Sequence, residues 1–193
     1  MRKVLLIVVL FAVVSPSIFA QEKKRTGFRL GLNYSSLRIE VAKDKSVSDW
    51  KPGLSFAIFQ EIPLSSTVSF QPELGFNRFG GEEENVRTKL DYVSIPTLFK
   101  FHGKRFGFVV GPQVSLLIKA KQKEEFQNEI DLKNELSSVD VSAVGGFEYS
   151  LGKDNRFVVA ARYLFGISNI AKDALPQSSL RNQSGQLTFG FRF

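Results

Sequence analysis

The chain has 193 residues, with no cysteine, one histidine, 19 phenylalanines and a formal charge of +7. Without thiols there are no disulfides, no thiolate metal sites and no lipidated cysteine; the basic residues are spread along the chain, with no cluster interleaved with aromatics, which argues against nucleic acid as a partner. Beyond the N-terminus nothing approaches the ~20 consecutive apolar residues of a spanning helix, but this leaves open spanning strands, which need only about 9 to 11 residues and alternate in polarity.

Residues 1–20 read as a secretory signal peptide. Arg2 and Lys3 precede the apolar run VLLIVVLFAVV (4–14), then come Ser15, Pro16 and Ala20, with cleavage expected after Ala20. The alternative is an N-terminal membrane anchor, for which the run is short. Residues 21–193 then form one domain, whose charge falls to +5 because Arg2 and Lys3 leave and no acid does.

Period-two alternation next marks eight strands: 27–34 (GFRLGLNY), 51–61, 67–79, 89–101, 105–118, 139–150, 155–166 and 185–193 (GQLTFGFRF). Sixteen of the phenylalanines fall inside them. The connections at 62–66, 102–104 and 151–154 are short, whereas 35–50, 80–88, 119–138 and 167–184 are long and polar. Such alternation puts all tight turns at one end of an up-and-down sheet and all long loops at the other, as in outer-membrane barrels.

The two faces of these strands differ. One collects large apolar groups such as Phe28, Leu30, Leu32, Leu54, Phe56, Ile58, Leu74, Phe99, Phe108, Phe147 and Phe165; the other holds Arg29, Asn33, Glu61, Gln71, Glu73, Ser94, Gln113 and their like. A soluble barrel of lipocalin type would turn the apolar face inward. Eight strands leave room inside for side chains only, too little for some thirty bulky apolar groups. The expectation is therefore an all-β, eight-stranded antiparallel up-and-down transmembrane β-barrel. Its terminal strand, alternating Leu187, Phe189, Phe191 and Phe193 against small or polar residues, faces lipid and closes on the first strand, which leaves no open edge.

These segments also resemble a known family. GFRLGLNYSSL (27–37), KPGLSFAIFQEIPLSSTVSFQPELGFNRFGG (51–81), LDYVSIPTLFKF (90–101), FGFVVGPQVSLLIKAK (106–121), ARYLFGISNI (161–170) and GQLTFGFRF together resemble the PorT-like outer-membrane β-barrel proteins of Bacteroidota. The resemblance implies an eight-stranded outer-membrane barrel, often without assigned activity, in a family whose namesake is implicated in type IX protein secretion. It carries no catalytic residue. Phe193 resembles the C-terminal aromatic that the barrel assembly machinery reads during biogenesis.

Several residues are candidates for function. Arg29, Glu73, Lys100, Asp140, Glu148, Arg162 and Arg192 form a proposed charge network in the lumen, read as an ion-paired plug or, alternatively, as a narrow polar path. The loop 119–138 is the candidate partner surface through Phe126, Ile130 and Leu136, folded as a short helix or as a hairpin extending the flanking strands. Trp50 marks a membrane interface. His102, in a three-residue turn, offers a serine-histidine pair only at the short-turn rim. Glu82, Glu83 and Glu84 lack the alternating spacing of a calcium loop. No catalytic residue, cofactor or metal is expected. The leading reading is an outer-membrane barrel with a structural or interaction role in an envelope or secretion complex; a small-solute pore and a soluble secreted lipocalin-like binder are the alternatives.

Overall fold

Strands with one lipid-facing side must pair every backbone group with one another, and a closed barrel does so without an edge. The computed structural model describes residues 24–41, 44–83, 86–124, 128–172 and 178–193. The signal peptide expected over 1–20, Glu84 and Phe126 lie outside these. The described chain forms β1 (Arg25–Val41), β2 (Asp44–Val47), β3 (Asp49–Pro63), β4 (Val68–Glu83), β5 (Val86–His102), β6 (Phe106–Glu124), β7 (Ile130–Asp131), β8 (Val139–Leu151), β9 (Phe157–Gly166) and β10 (Ser178–Arg192). Eight of these pair antiparallel in the order β10-β9-β8-β6-β5-β4-β3-β1, and β10 pairs β1 to close the barrel. The closing ladder runs from Gly27↔Arg192 to Val41↔Ser178, and the Phe193 amide extends it by donating to the Thr26 carbonyl at 2.9 Å.

The outer face is the apolar one. Leu30, Phe56 and Phe189 lie side by side in register and are 56%, 48% and 48% exposed, which in a protein of this kind is lipid contact. Trp50 stacks on Tyr34 with ring centroids 5.6 Å apart, an amphipathic pair of the kind found at a membrane boundary.

Most strands outrun their expected ends. β1 continues to Val41, β5 begins at Val86, β6 reaches Glu124 and β10 begins at Ser178, so much of what reads as long loop is strand. A spanning strand needs only about 9 to 11 residues, so these extensions stand beyond the lipid as β arms. There the lipid no longer demands apolar alternation, and the period-two signal fades although the ladder does not. One short strand was not expected: β2 pairs β1. A second, β7, folds back on β6 through Lys121↔Asp131 and Gln122↔Ile130. Of the two readings of 119–138, its described part follows the hairpin. Where β6 leaves the membrane its register slips by one, Asp91 facing Lys119 and Tyr92 facing Leu117. The extra residue, Ile118, makes a bulge that lets Leu117 and Ala120 both point inward.

Candidate functional site

Alternation aims alternate residues of all eight strands into one lumen, where side chains meet in tiers. The tier nearest the short turns is ionic. Arg162 contacts Glu73 through both terminal nitrogens, at 3.0 and 2.8 Å, and reaches Glu148 at 2.7 Å. Arg29 spans the same two carboxylates at 3.0 Å each, and its guanidinium lies 4.4 Å from the centre of the Phe59 ring. Lys100 contacts Glu148 at 2.9 Å and Glu61 at 3.2 Å. Arg192 adds Glu61 at 3.3 Å, Glu148 at 3.4 Å and the Ser150 hydroxyl at 3.1 Å. Glycine leaves the necessary space: a Cβ on Gly146 would stand 2.7 Å from the Arg162 Cα, and one on Gly107 would stand 2.8 Å from the Lys100 Cε.

Six of the seven expected network residues thus come together, and one does not. Asp140 accepts hydrogen bonds from the Ser168 hydroxyl at 2.6 Å and the Asn182 amide at 2.9 Å. It lies eight residues along β8 from Glu148, roughly 26 Å at the ~3.3 Å rise of a strand, so it cannot share the ionic tier. Glu61 takes a place in the network that the expected set lacks. Its signal was present in the sequence, since it lies on the polar face of β3, two residues from the strand end.

Between these clusters lies a neutral polar tier. The Gln186 amide donates to Asn33, Ser55 and Asn77 at 2.8, 2.7 and 3.0 Å, and Asn77 passes the chain on to Ser94 and Ser115. Towards the long-loop end the lumen turns apolar: Leu37, Phe79, Leu90, Tyr92, Leu117 and Ala120 are buried with Leu136 and Ile170. Buried Leu98, Val109, Val144 and Leu164 continue this cluster below the cap, where Val109 pairs with Lys100, so apolar groups share the inward face with the charges; a filled lumen excludes water and favours such contacts.

The candidate partner residues separate in the same way. Leu136 is 6% exposed and belongs to this cap, so it is a packing residue and not part of an outer surface, whereas Ile130 is 49% exposed on β7. The backbone explains the difference: the Leu136 amide donates to Leu132, and the Ser137 amide donates to Ile170 at 2.7 Å, which draws this turn down over the barrel mouth. Outside, Lys121 pairs with Glu129 and holds its carboxyl below the usual range.

His102 at the short-turn rim does meet a serine, with Ser69 Oγ 2.9 Å from His102 Nε2. Both residues line the short-turn mouth, with Ser69 buried. Among the described residues no group of three or more carboxylate or imidazole side chains is placed to hold a metal ion.

The family described as outer membrane protein beta-barrel domain matches residues 19–172. The chain belongs to this family. No curated protein matches it. Among solved structures, the attachment invasion locus protein Ail of Yersinia pestis is 15% identical with a TM-score of 0.52, over 89% of this chain and 100% of Ail. The Neisserial surface protein A, NspA, is 13% identical with a TM-score of 0.55, over 86% of this chain and 97% of NspA. At such identities the likeness is one of fold, a closed eight-stranded antiparallel barrel. An outer-membrane barrel sits in the lipid bilayer with its apolar face outward, and the charges inside this one are where a soluble lipocalin-like barrel would hold its apolar core. The soluble alternative is therefore set aside.

Proposed function

We propose that this outer-membrane barrel is a closed anchor, delivered by the signal peptide at 1–20, whose β arms beyond the lipid meet a protein of an envelope or secretion complex. The observation that carries this is the contrast between lumen and arms. Tyr92, Leu90, Leu98, Gln71, Glu148 and Asn33 are fully buried across the lumen, while β5 and β6 stay paired out to Val86↔Glu124. An eight-stranded barrel filled in this way has no room for a solute path, and long ladders outside the membrane are rigid platforms for recognition. The secretion part of the reading rests on the resemblance to PorT-like barrels in the strands quoted above. Phe193, 69% exposed at the end of the closing ladder, is accessible for the assembly machinery to read.

Photo-crosslinking in cells tests the proposal. A crosslinking side chain placed at Ile130 or Lys123 is expected to give a discrete protein adduct, and one at Leu30 to give none. If neither outer position yields an adduct while the barrel is present and heat-modifiable in the outer membrane, the anchor reading fails.

A further inference from the structure

The short-turn mouth holds a cavity of about 360 Å³ whose lining is mainly polar. Its floor is the ionic tier, through Glu61, Lys100 and Arg192; its rim carries Arg25, Lys104 and Arg105. Among the described residues charge does not balance at either level. Four buried cations (Arg29, Lys100, Arg162, Arg192) face three buried carboxylates (Glu61, Glu73, Glu148), and all seven side chains are at most 8% exposed. An uncompensated buried charge is costly, and Asp140 is too far along β8 to supply the balance. At the rim, Arg25, Lys104 and Arg105 make no ion pair among the described residues.

The rim is also held in place. The Gly103 amide donates to the Phe106 carbonyl at 2.9 Å, and the Ser150 amide to the Arg105 carbonyl at 2.8 Å. The Asn155 side chain, on a residue with φ of 54°, donates to the Lys104 carbonyl at 3.3 Å and ties the two neighbouring turns together. Cationic donors carried on a tied backbone around a polar hollow of this size make a site for a compact anion. Guanidinium forks with flanking ammonium groups fit the tetrahedral oxygens of phosphate.

We propose that this mouth, which faces the periplasm by the rule that short turns lie on that side, binds a phosphate group. The phosphate belongs either to an anionic lipid headgroup of the inner leaflet or to a soluble phosphate in the periplasm. The site completes the charge of the ionic tier, and it stands independently of whether the outer arms meet a partner.

The test is titration of inorganic phosphate into the full barrel in lauryldimethylamine oxide, a detergent without phosphate, following the amide resonances of Gly103 and Gly107. Saturable shifts are expected, with affinity at least tenfold lower in the triple variant Arg25→Gln, Lys104→Gln, Arg105→Gln. These exposed positions leave the buried network intact, and the variant is checked for the same gel shift on boiling. The titration is then repeated in nanodiscs of phosphatidylcholine with and without phosphatidylglycerol. Loss of phosphate binding only with phosphatidylglycerol identifies the headgroup as the occupant; equal binding in both identifies a soluble phosphate. Absence of a saturable shift, or an unchanged affinity in the triple variant, overturns the proposal.

Discussion

Arg162 and Glu73 meet fork to fork across the lumen, Nη1 to Oε2 at 3.0 Å and Nη2 to Oε1 at 2.8 Å, with both side chains at most 2% exposed. The pair is strong because it is bidentate and dry, yet its partners are unequal in what their loss would leave behind. Removing Glu73 leaves four cations against two carboxylates; removing Arg162 leaves three against three. Glu73→Gln is therefore expected to cost about 3–5 kcal/mol, the range for breaking a buried pair, and Arg162→Gln measurably less. Urea unfolding in lipid vesicles, followed by the single tryptophan, Trp50, measures both. Equal losses would mean that local packing, not net charge, sets the stability of this tier.

Leu136 and Ile130, six residues apart, have opposite environments. Leu136 packs with Ile170 in the cap and Ile130 lies on the exposed side of the arm. Leu136→Ala is expected to destabilise by about 2–5 kcal/mol, as cavity-forming substitutions do, and Ile130→Ala by no more than about 0.5 kcal/mol, as at other surface positions. The same unfolding experiment decides, and a neutral Leu136→Ala would show that the cap does not stabilise the barrel.

The eight strands were legible because lipid imposes a strict demand: every second residue of Leu30, Leu32 and Tyr34, or of Leu187, Phe189 and Phe191, must be apolar. Where that demand ends, so does the pattern. Ser35, Ser36 and Leu37 are buried in succession in β1, as are Asn182, Gln183 and Ser184 in β10, where Gln183 bonds both Ser36 and Tyr163; neither stretch alternates, although both are strand. The lumen shows the same limit in another form. Alternation puts Asp140 and Glu148 on one face of β8 and makes them look equivalent, but it says nothing of height within the barrel, and height decides that one meets arginines and the other Ser168 and Asn182. Leu136 was illegible as a core residue because a lone leucine in a charged stretch owes its burial to Ile170, 34 positions away.

Lipid exposure of the apolar band has its own consequence. Leu30 lies in the exposed apolar run Phe28, Leu30, Leu32 and Tyr34 of β1, between Phe56 and Phe189. Leu30→Arg is expected to cost about 2–4 kcal/mol in bilayers, as for arginine at the midplane of other barrels. In Val41→Arg, at the exposed far end of the same strand, that lipid cost is absent. Vesicle refolding yields compare the two; similar losses would place the lipid band elsewhere on the barrel.

Occlusion of the lumen is open to an electrical test. From Lys100 to Leu90 the inward positions of β5, Lys100, Leu98, Pro96, Ser94, Tyr92 and Leu90, are all buried, and Tyr92 closes the path with its hydroxyl 3.2 Å from Asn182 and its ring 5.6 Å from that of Phe79. A hydrated ion would have to displace several buried hydrogen bonds at once, each costing about 1–3 kcal/mol when a partner is left unpaired. The purified barrel is therefore expected to be electrically silent in planar bilayers. Reproducible single-channel steps from the wild type, abolished by a tethered block of the lumen, would mean that the tiers rearrange in the membrane. In that case the alternative of a small-solute pore would replace that of a closed anchor.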